Sequence, residues 1–597
     1  MSAGSPARWR LVLFTALACL ALVGVARGAA SALVGTSPVK NAPYIQVNGT
    51  GTSYVRASTL IGSRVYIGGT FSEVFEPASG QNYPRHGLYS YDDKTDRVTS
   101  FAPTLNGEVW ALDRSPDGRY LYAAGNFTTV DGAARTGLAR FDLKSGALTK
   151  FNAHLNGQAR TVDYVHGHLV VGGTFTAVNG ARRVALASLD PATGALQSYL
   201  DAELSGTVSS TAGPTAVHHT AVNSTETQMA IAGNFTSAGG ATHWRTFLLD
   251  LGASSATVGA WNAPILQQPC DSVGHPNYVS AMSFSQDGTW FAMVTSGYRN
   301  LNSGFPLTQT VCGAVARFST REVANIAPAW ANYTGCDSLY GVLVEPGVVY
   351  VDGHQRWLDN TGCDVAGTGA VKRPGLGAVD PTTGRALSWN PTRSRGRGAD
   401  FLELIGPGLL ILSDCAAPGN SGDASSGANY LAGAYHPCVG VLRASSTVKQ
   451  TLTVRKLGAR TGTVVSRPAG IKCGSRCSHS YTVGSSVRLI ARSGKGWGFA
   501  GWSGVCTGKS ACTVPLTADR SVRASFRKAC VVPELEGKSL SAAGRTLKAY
   551  RCRVGKVRHA FSARLKAGLV ISERPKAHSV RKPGAAVTLV VSKGAKG

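Results

Sequence analysis

The most chemically distinctive stretch is Gly353-His-Gln-Arg-Trp357, where three polar side chains and an indole follow a glycine. An indole face stacks on a sugar ring, while Arg and His hydrogen-bond hydroxyls or a carboxylate. His354, Arg356 and Trp357 are therefore the candidate ligand residues. The competing reading is a turn whose His and Arg satisfy backbone carbonyls. Asn390-Pro-Thr-Arg-Ser-Arg-Gly-Arg397 lies nearby in sequence and adds positive charge. His218 and His219 are adjacent, so strand alternation sends them to opposite faces, which makes a poor chelate. Gly419-Asn-Ser-Gly-Asp423 has the outline of a serine-nucleophile turn, but it sits in a Gly/Ser/Ala-rich stretch without a partner His. No Gly-rich phosphate loop, nucleotide fingerprint or His-Glu-x-x-His motif is present. No catalytic residue, metal site or cofactor is expected, and the reading favours a protein that is not an enzyme.

The cysteines carry the other chemistry. Arg8 and Arg10, the apolar run Leu11–Ala26 and the small residues 28–32 read as a secretory signal over 1–32. The run is shorter than the ~20 residues a membrane span needs, so no span is expected after cleavage. Cleavage removes Cys19 and leaves twelve cysteines in three even groups. These are Cys270, Cys312, Cys336, Cys363, Cys415 and Cys438; then Cys473, Cys477, Cys506 and Cys512; then Cys530 and Cys552. Export and even counts point to disulfides rather than zinc. Of five Asn-x-Ser/Thr sequons (Asn48, Asn126, Asn223, Asn234 and Asn332), two fall inside a repeated Asn-Phe-Thr turn, where turn chemistry explains them better.

That turn belongs to an internal repeat. Val65-Tyr-Ile-Gly-Gly-Thr-Phe71 returns at Leu121–Phe127, Leu169–Phe175 and Met229–Phe235, with weaker copies at Phe291–Gly297, Val348–Gly353 and Leu409–Asp414. Taking positions 69, 125, 173, 233, 297, 353 and 414 as equivalent gives seven units. Each unit also holds flanking strands and Asp-Gly or Thr-Gly turns, so it reads as four short antiparallel strands, the unit of a propeller blade. A blade cannot bury both faces alone, and stacking in a ring supplies the core. The expected fold is mostly β, with a seven-bladed β-propeller over 40–445. The last blade is short of a fourth strand, which Pro43-Tyr-Ile-Gln-Val47 is expected to supply. The motif resembles secreted bacterial β-propellers with a Val-Tyr-x-Gly-Gly-x-Phe repeat, and the resemblance implies an extracellular scaffold without an assigned reaction.

Two smaller units follow. Residues 449–527 run from Thr451-Leu-Thr-Val454 through Gly498-Phe-Ala-Gly-Trp-Ser-Gly504 to Val522–Phe526. They resemble the divergent internalin-B-type repeat of bacterial surface proteins, with Trp502 read as core. Four cysteines allow three pairings, of which 473–477 with 506–512 is the first choice. Residues 530–594 hold Val532-Pro533, Leu535-Glu-Gly537, an apolar stripe Leu540, Ala543 and Leu547 at helical spacing, and Val587–Ser592. They resemble a PASTA domain, a small α+β module associated with penicillin-binding proteins and bacterial Ser/Thr kinases. Cys530 and Cys552 would staple its first strand to the region after the helix. The resemblance implies peptidoglycan or muropeptide binding. Glu573 and Arg574 stand where the family often carries an amide, and are the candidate wall contacts.

Charge separates the halves. The chain carries +27, with 60 basic and 33 acidic residues. Residues 449–597 hold 30 of the basic and 4 of the acidic residues, a net +26. The propeller region is near neutral. A cationic tail fits an anionic envelope polymer better than nucleic acid, because the aromatic interleaving of single-strand binders is missing. The expected protein is a secreted, wall-associated binder with a glycan ligand on its propeller. The alternative is a secreted polysaccharide-active enzyme with the propeller as catalytic domain.

Overall fold

The computed structural model describes residues 34–596 apart from 48–52, 209–212, 272–276, 298–308, 322, 394–398, 406–407, 416–429, 432–433, 436–437, 444–448, 459–461, 483–484, 507, 510–511 and 517–518. The signal segment 1–32, Asn48, the 419–423 turn and residues 394–397 of the basic run lie outside the described residues.

Among the described residues, the first three quarters are organised around seven successive antiparallel sheets of three or four strands, the first and seventh of which join into one seven-stranded sheet where Tyr54 pairs with Asp414, with short surface hairpins beside them. Their first strands are Ser53–Ile61, Val109–Arg114, Ala159–Val165, Ala216–Val222, Tyr278–Phe284, Leu339–Glu345 and Ala399–Ile405. Each lies beside the first strand of the next sheet, and the seventh lies beside the first. The cores follow the same order. One buried cluster joins the first two sheets through Tyr66, Leu88, Leu121 and Phe141, and corresponding clusters join each later pair. A final cluster packs Val65, Ile67 and Tyr91 of the first sheet on Leu410, Leu412 and Val441 of the seventh. Hydrophobic burial is thus continuous around a closed series.

The repeat is built around a close approach. A Cβ on Gly125 would lie 2.0 Å from the Glu108 carbonyl oxygen, and one on Gly173 would lie 1.9 Å from that of Gln158. The second glycine of each motif therefore lets the second strand press against the start of the inner strand. The following residue ties the same point: Glu108 N–H donates to Asn126 Oδ1 at 2.7 Å, and Gln158 N–H donates to Thr174 Oγ1 at 3.2 Å. Phe127, Phe175 and Phe235 are fully buried. Strand register corrects two of the assigned equivalences. Thr295 pairs Val279 and Ser413 pairs Ala399, as Gly69 pairs Val55, so the matching positions are 295 and 413 rather than 297 and 414. Neither position keeps the glycine, which is why the sequence alignment slips there.

Closure also differs from expectation. Residues Tyr44–Ile45 pair with Glu73–Glu76 in the first sheet's surface hairpin. The chain just before them reaches the seventh sheet: Gly35 N–H donates to Arg443 O at 3.0 Å and Val39 N–H to Val441 O at 2.8 Å. Val34 is anchored by Tyr350 and by Trp389 Nε1. An upstream segment supplies the edge because Pro43–Val47 is used on the neighbouring hairpin.

The tail forms two small units. In the first, two four-stranded sheets enclose Leu452, Val454, Val487, Trp502, Val522 and Phe526. Along Arg520–Lys528 alternation puts Val522, Ala524 and Phe526 inside and exposes Arg523 and Arg527. The second packs the helix Leu540–Ala549, capped by Ser539, against a three-stranded sheet. Its buried stripe is Ala543 and Leu547, whereas Leu540, at the first helical position, is exposed. Disulfides join Cys270–Cys312, Cys336–Cys363, Cys473–Cys477, Cys506–Cys512 and Cys530–Cys552. The side chain of Cys415 lies outside the described residues.

Candidate functional site in the propeller channel

The seven first strands enclose a cavity of about 930 Å³. Each of these strands carries a β-bulge at the same height, where register skips one residue. The skipped positions are Arg56, Trp110, Arg160, His218, Ser280, Tyr340 and Asp400. The first six line the cavity; the side chain at 400 lies outside the described residues. A bulge re-aims a side chain without ending the strand, so one residue per sheet is turned to the channel mouth. The bulge also overturns the alternation argument for the histidine pair: His218 is the extra residue, and both His218 and His219 line the cavity.

The mouth gathers guanidiniums, a carboxylate and aromatic rings. Arg56 pairs with Glu108 and lies over Tyr54. Arg160 lies 4.6 Å over the Trp110 ring, and its buried Nε has no hydrogen-bond partner. Burial lowers the Arg160 guanidinium, with Arg56 adding and Glu108 opposing. Burial and then Arg160 hold His218 down to about 4, while burial, His218, Arg160 and Arg56 hold His219 down to about 3. Both imidazoles are neutral at pH 7.

Deeper in the channel stand three carboxyls. Burial pushes Asp163 up to about 7, with Asp113 adding and the Thr220 hydroxyl opposing. Burial also raises Asp113 and Glu403. Their hydrogen bonds run between sheets. Tyr164 N–H donates to Asp113 at 2.6 Å, Thr220 Oγ1 donates to Asp163 at 2.7 Å, and Ser58 Oγ donates to Glu403. The last bond spans the seventh and first sheets. These three carboxyls thus act as ties between neighbouring inner strands. The far end of the channel faces the next unit. A second cavity of about 1120 Å³ is lined by Glu226, Glu345 and Arg520, and Glu226 also lines the channel. Among the described residues no group of three His, Cys, Asp or Glu is placed to hold a metal ion.

The residues singled out from sequence fall on the mouth face but divide. His354 sits edge-on to Tyr340, 5.4 Å between rings, and so reaches the channel rim. Arg356 is held by Asp337 at 2.9 Å and Asp364 at 2.8 Å and lies over Trp357 at 4.4 Å. Trp357 pairs with Lys372 in a surface hairpin. Arg356 and Trp357 thus stand together on the hairpin, and His354 stands at the rim. In the C-terminal unit, Glu573 is half-buried, with Oε2 enclosed and without a hydrogen bond, while Arg574 is exposed. Sequence reasoning missed the bulge residues. Their signal is a variable residue between similar small or apolar ones: Val-Arg-Ala at 55, Val-Trp-Ala at 109, Ala-Arg-Thr at 159 and Val-Ser-Ala at 279.

Three stretches match known domain families. Residues 88–215 match the Rax2 C-terminal beta propeller domain, 461–530 the divergent InlB B-repeat domain and 531–593 the PASTA domain. No curated protein matches the chain. Among solved structures it is similar to the computationally designed Ika8 protein, at 12% identity and TM-score 0.35, covering 67% of this chain and 98% of that one. It is also similar to the Cps50 (Swd1) beta-propeller domain of Myceliophteria thermophila, at 10% identity and TM-score 0.36, covering 61% of this chain and 96% of that one. The chain is thus a mostly β protein with a propeller, a small β-rich InlB-type repeat and an α+β PASTA domain. No helix among the described residues is long and apolar enough to cross a membrane.

Proposed function

We propose that this is an exported, wall-associated binding protein: the InlB-type and PASTA units hold it to an anionic envelope polymer, and the propeller channel presents the recognition surface. The observation that carries the reading is the placement of +26 of the net charge in the two units that match families of this kind. Four acidic residues cannot neutralise thirty basic ones, so these small domains present a field that attracts polyanions and weakens with salt. Disulfides between residues 270 and 552 support an oxidising, extracellular setting. Peptidoglycan, with its acidic peptides and attached polymers, is the partner this reading names. A count of seven blades belongs to the same reading, supported by the seven successive first strands that neighbour one another in series. The enzymatic alternative is not adopted, because inter-sheet hydrogen bonds account for the buried channel carboxyls of Asp113, Asp163 and Glu403.

The test is sedimentation with purified cell walls. The full chain should pellet at about 50 mM salt, release progressively up to about 500 mM, and stay soluble when residues 449–597 are removed. Equal retention of the truncated chain would reject the anchor assignment.

A further inference from the structure

The tail's charge is arranged rather than spread. We propose that the InlB-type and PASTA units form one cationic platform that binds a single linear phosphodiester polymer, a polyol-phosphate chain, along an arginine row that crosses their junction. This assignment rests on the anchor reading and names its polymer. First, like charges stand side by side without counter-ions. Arg455 and Arg523 are register partners in the parallel strands Lys449–Leu457 and Arg520–Lys528. Both are exposed on the face opposite Val454 and Val522, and Arg527 follows on the same face. Strand geometry sets the backbones of the pair about 5 Å apart and Arg527 about 13 Å further along. Among the described residues none of the three makes an ion pair or a side-chain hydrogen bond. The tail's four acidic residues are engaged elsewhere. Asp519 accepts from Thr451 N–H at 2.6 Å, Glu534 faces His578 at 3.3 Å, Glu536 pairs with Arg564, and Glu573 stands beside Glu534 and His578. Like charges directly opposite destabilise a sheet, a cost that a bound anion removes.

Second, the PASTA unit abuts this same face. Gly498 is the register partner of Arg527, so a side chain there would project beside the arginine. It would meet Val580 Cγ1 at 2.5 Å and Ala529 Cβ at 3.0 Å. A Cβ on Gly496 would lie 3.0 Å from the Arg551 side chain, and Ala529 N–H donates to Gly496 O at 3.1 Å. Ala529 is buried, and it alone separates the strand Arg520–Lys528 from Cys530–Val531 of the PASTA unit. Arg581 pairs with Cys530 beside Val580. Arg551 and Arg581, both exposed, therefore continue the arginine row from Arg527 onto the PASTA unit.

Third, hydroxyls rather than rings flank the arginines. The pairs Thr451–Ser480 and Thr453–Ser478, each 3.0 Å, extend the face beyond Arg455. Tyr481, Phe499, Trp502 and Phe526 instead pack with the core. Sugar rings and single-stranded bases are held on aromatic faces, which this row lacks among its neighbours. Guanidinium forks match phosphate oxygens, and serine and threonine hydroxyls donate to them as well. A flexible chain of phosphates linked by small polyols needs only those groups.

Calorimetric titration of the full chain with a glycerol-phosphate chain of about ten repeats tests this assignment, against its two-repeat fragment, polygalacturonate and a DNA duplex of equal charge. The long chain should bind at least about tenfold more tightly than each of the others. The double variant Arg455→Gln, Arg523→Gln should weaken it about tenfold or more while leaving the tail's unfolding temperature no lower. Arg467 and Arg488 are register partners on the other sheet, so Arg467→Gln with Arg488→Gln removes the same charge. That control should cost less than about threefold. A flexible insert of about ten Gly and Ser residues between Lys528 and Ala529 should weaken the long chain and leave the fragment unchanged. Equal or tighter binding of the duplex would make the partner a nucleic acid, and of polygalacturonate a carboxylated chain; either overturns the proposal. Equal weakening by the two arginine pairs would reduce the row to diffuse charge, and an insert without effect would separate the units; each overturns the platform. Retention on purified walls without glycerol-phosphate binding would overturn the polymer assignment alone, and loss of both would overturn the anchor reading with it.

Discussion

The propeller and the tail solve burial in different ways, and their charge follows from that difference. Between the propeller sheets, core clusters connect around the whole series, from Tyr66 and Phe141 through to Val441 packed on Val65. A domain of this size buries a large apolar area and can hold polar groups inside its channel. The two tail units are each well under a hundred residues, and their cores are isolated clusters. Units of this size commonly rely on covalent staples. Here Cys473–Cys477, Cys506–Cys512 and Cys530–Cys552 supply them. Stapling allows the tail to devote its outer faces to charge, because Arg523, Arg527 and their neighbours need not contribute to the core. The propeller keeps its charges largely balanced, whereas the tail displays a large excess of one sign.

The comparison breaks most sharply at the close-approach glycines. Gly173→Ala would place a methyl 1.9 Å from the Gln158 carbonyl oxygen, where only backbone movement can relieve it. A loss of about 3 kcal/mol or more is expected, in the range of strongly overpacked sites. Scanning calorimetry should show the propeller transition falling while the tail transition stays in place. A single transition that falls as a whole would show that the two regions fold as one unit.

The complementary change removes the Cys530–Cys552 bond, which encloses a chain separation of 22 residues. Replacing both cysteines by Ala should cost the PASTA unit about 2–4 kcal/mol. Helical signal and wall retention should decline together at a lower temperature, with the propeller transition unchanged. If the unit keeps its melting temperature, its small apolar core of Leu535, Leu547, Val587 and Leu589 is sufficient alone.

The same contrast explains what can be read from the residues. Gly-Gly-x-Phe is visible because a close approach demands glycine and a buried corner demands Phe, so the type of residue reports the geometry. The bulges leave a fainter mark. Any residue tolerates the extra position, and here Arg, Trp, Arg, His, Ser, Tyr and Asp occupy it. The channel residues are therefore faint in the sequence, marked only by a variable residue between small or apolar ones, while Arg356 stands out by a charge that Asp337 and Asp364 already pair. Closure is displaced by a few residues for a related reason. Gly35 and Val39 bond to the seventh sheet through backbone groups, and the chain around them has no distinctive side-chain pattern. The tail is more completely legible because stapled, alternating strands and a capped helix announce themselves by Cys spacing and periodicity.

The smallest expected effect probes the propeller's tolerance of buried charge. The Asp163 carboxyl is pushed up to about 7 in the folded chain, chiefly by burial, from an ordinary 3.8. The folded state therefore holds this proton more tightly than the unfolded state between those values. Its contribution to stability is full below about pH 4, falls as pH rises toward 7, and is level above. Asp163→Asn keeps an acceptor for Thr220 and removes the titration. The variant should be more stable than the parent by about 2 kcal/mol at pH 8, a figure reduced for the channel's access to solvent, and equal to it at about pH 4. His219 acts in the opposite sense. Held down to about 3 by burial and its cationic neighbours, it loses stability as pH falls below its unfolded value of 6.5. Both chains keep His219, so the difference between their denaturation profiles isolates Asp163. Parallel profiles from about pH 4 to 8 would mean that Asp163 ionises freely in a hydrated channel. The interior would then resemble the tail's surface, and charge placement rather than burial would distinguish the two regions.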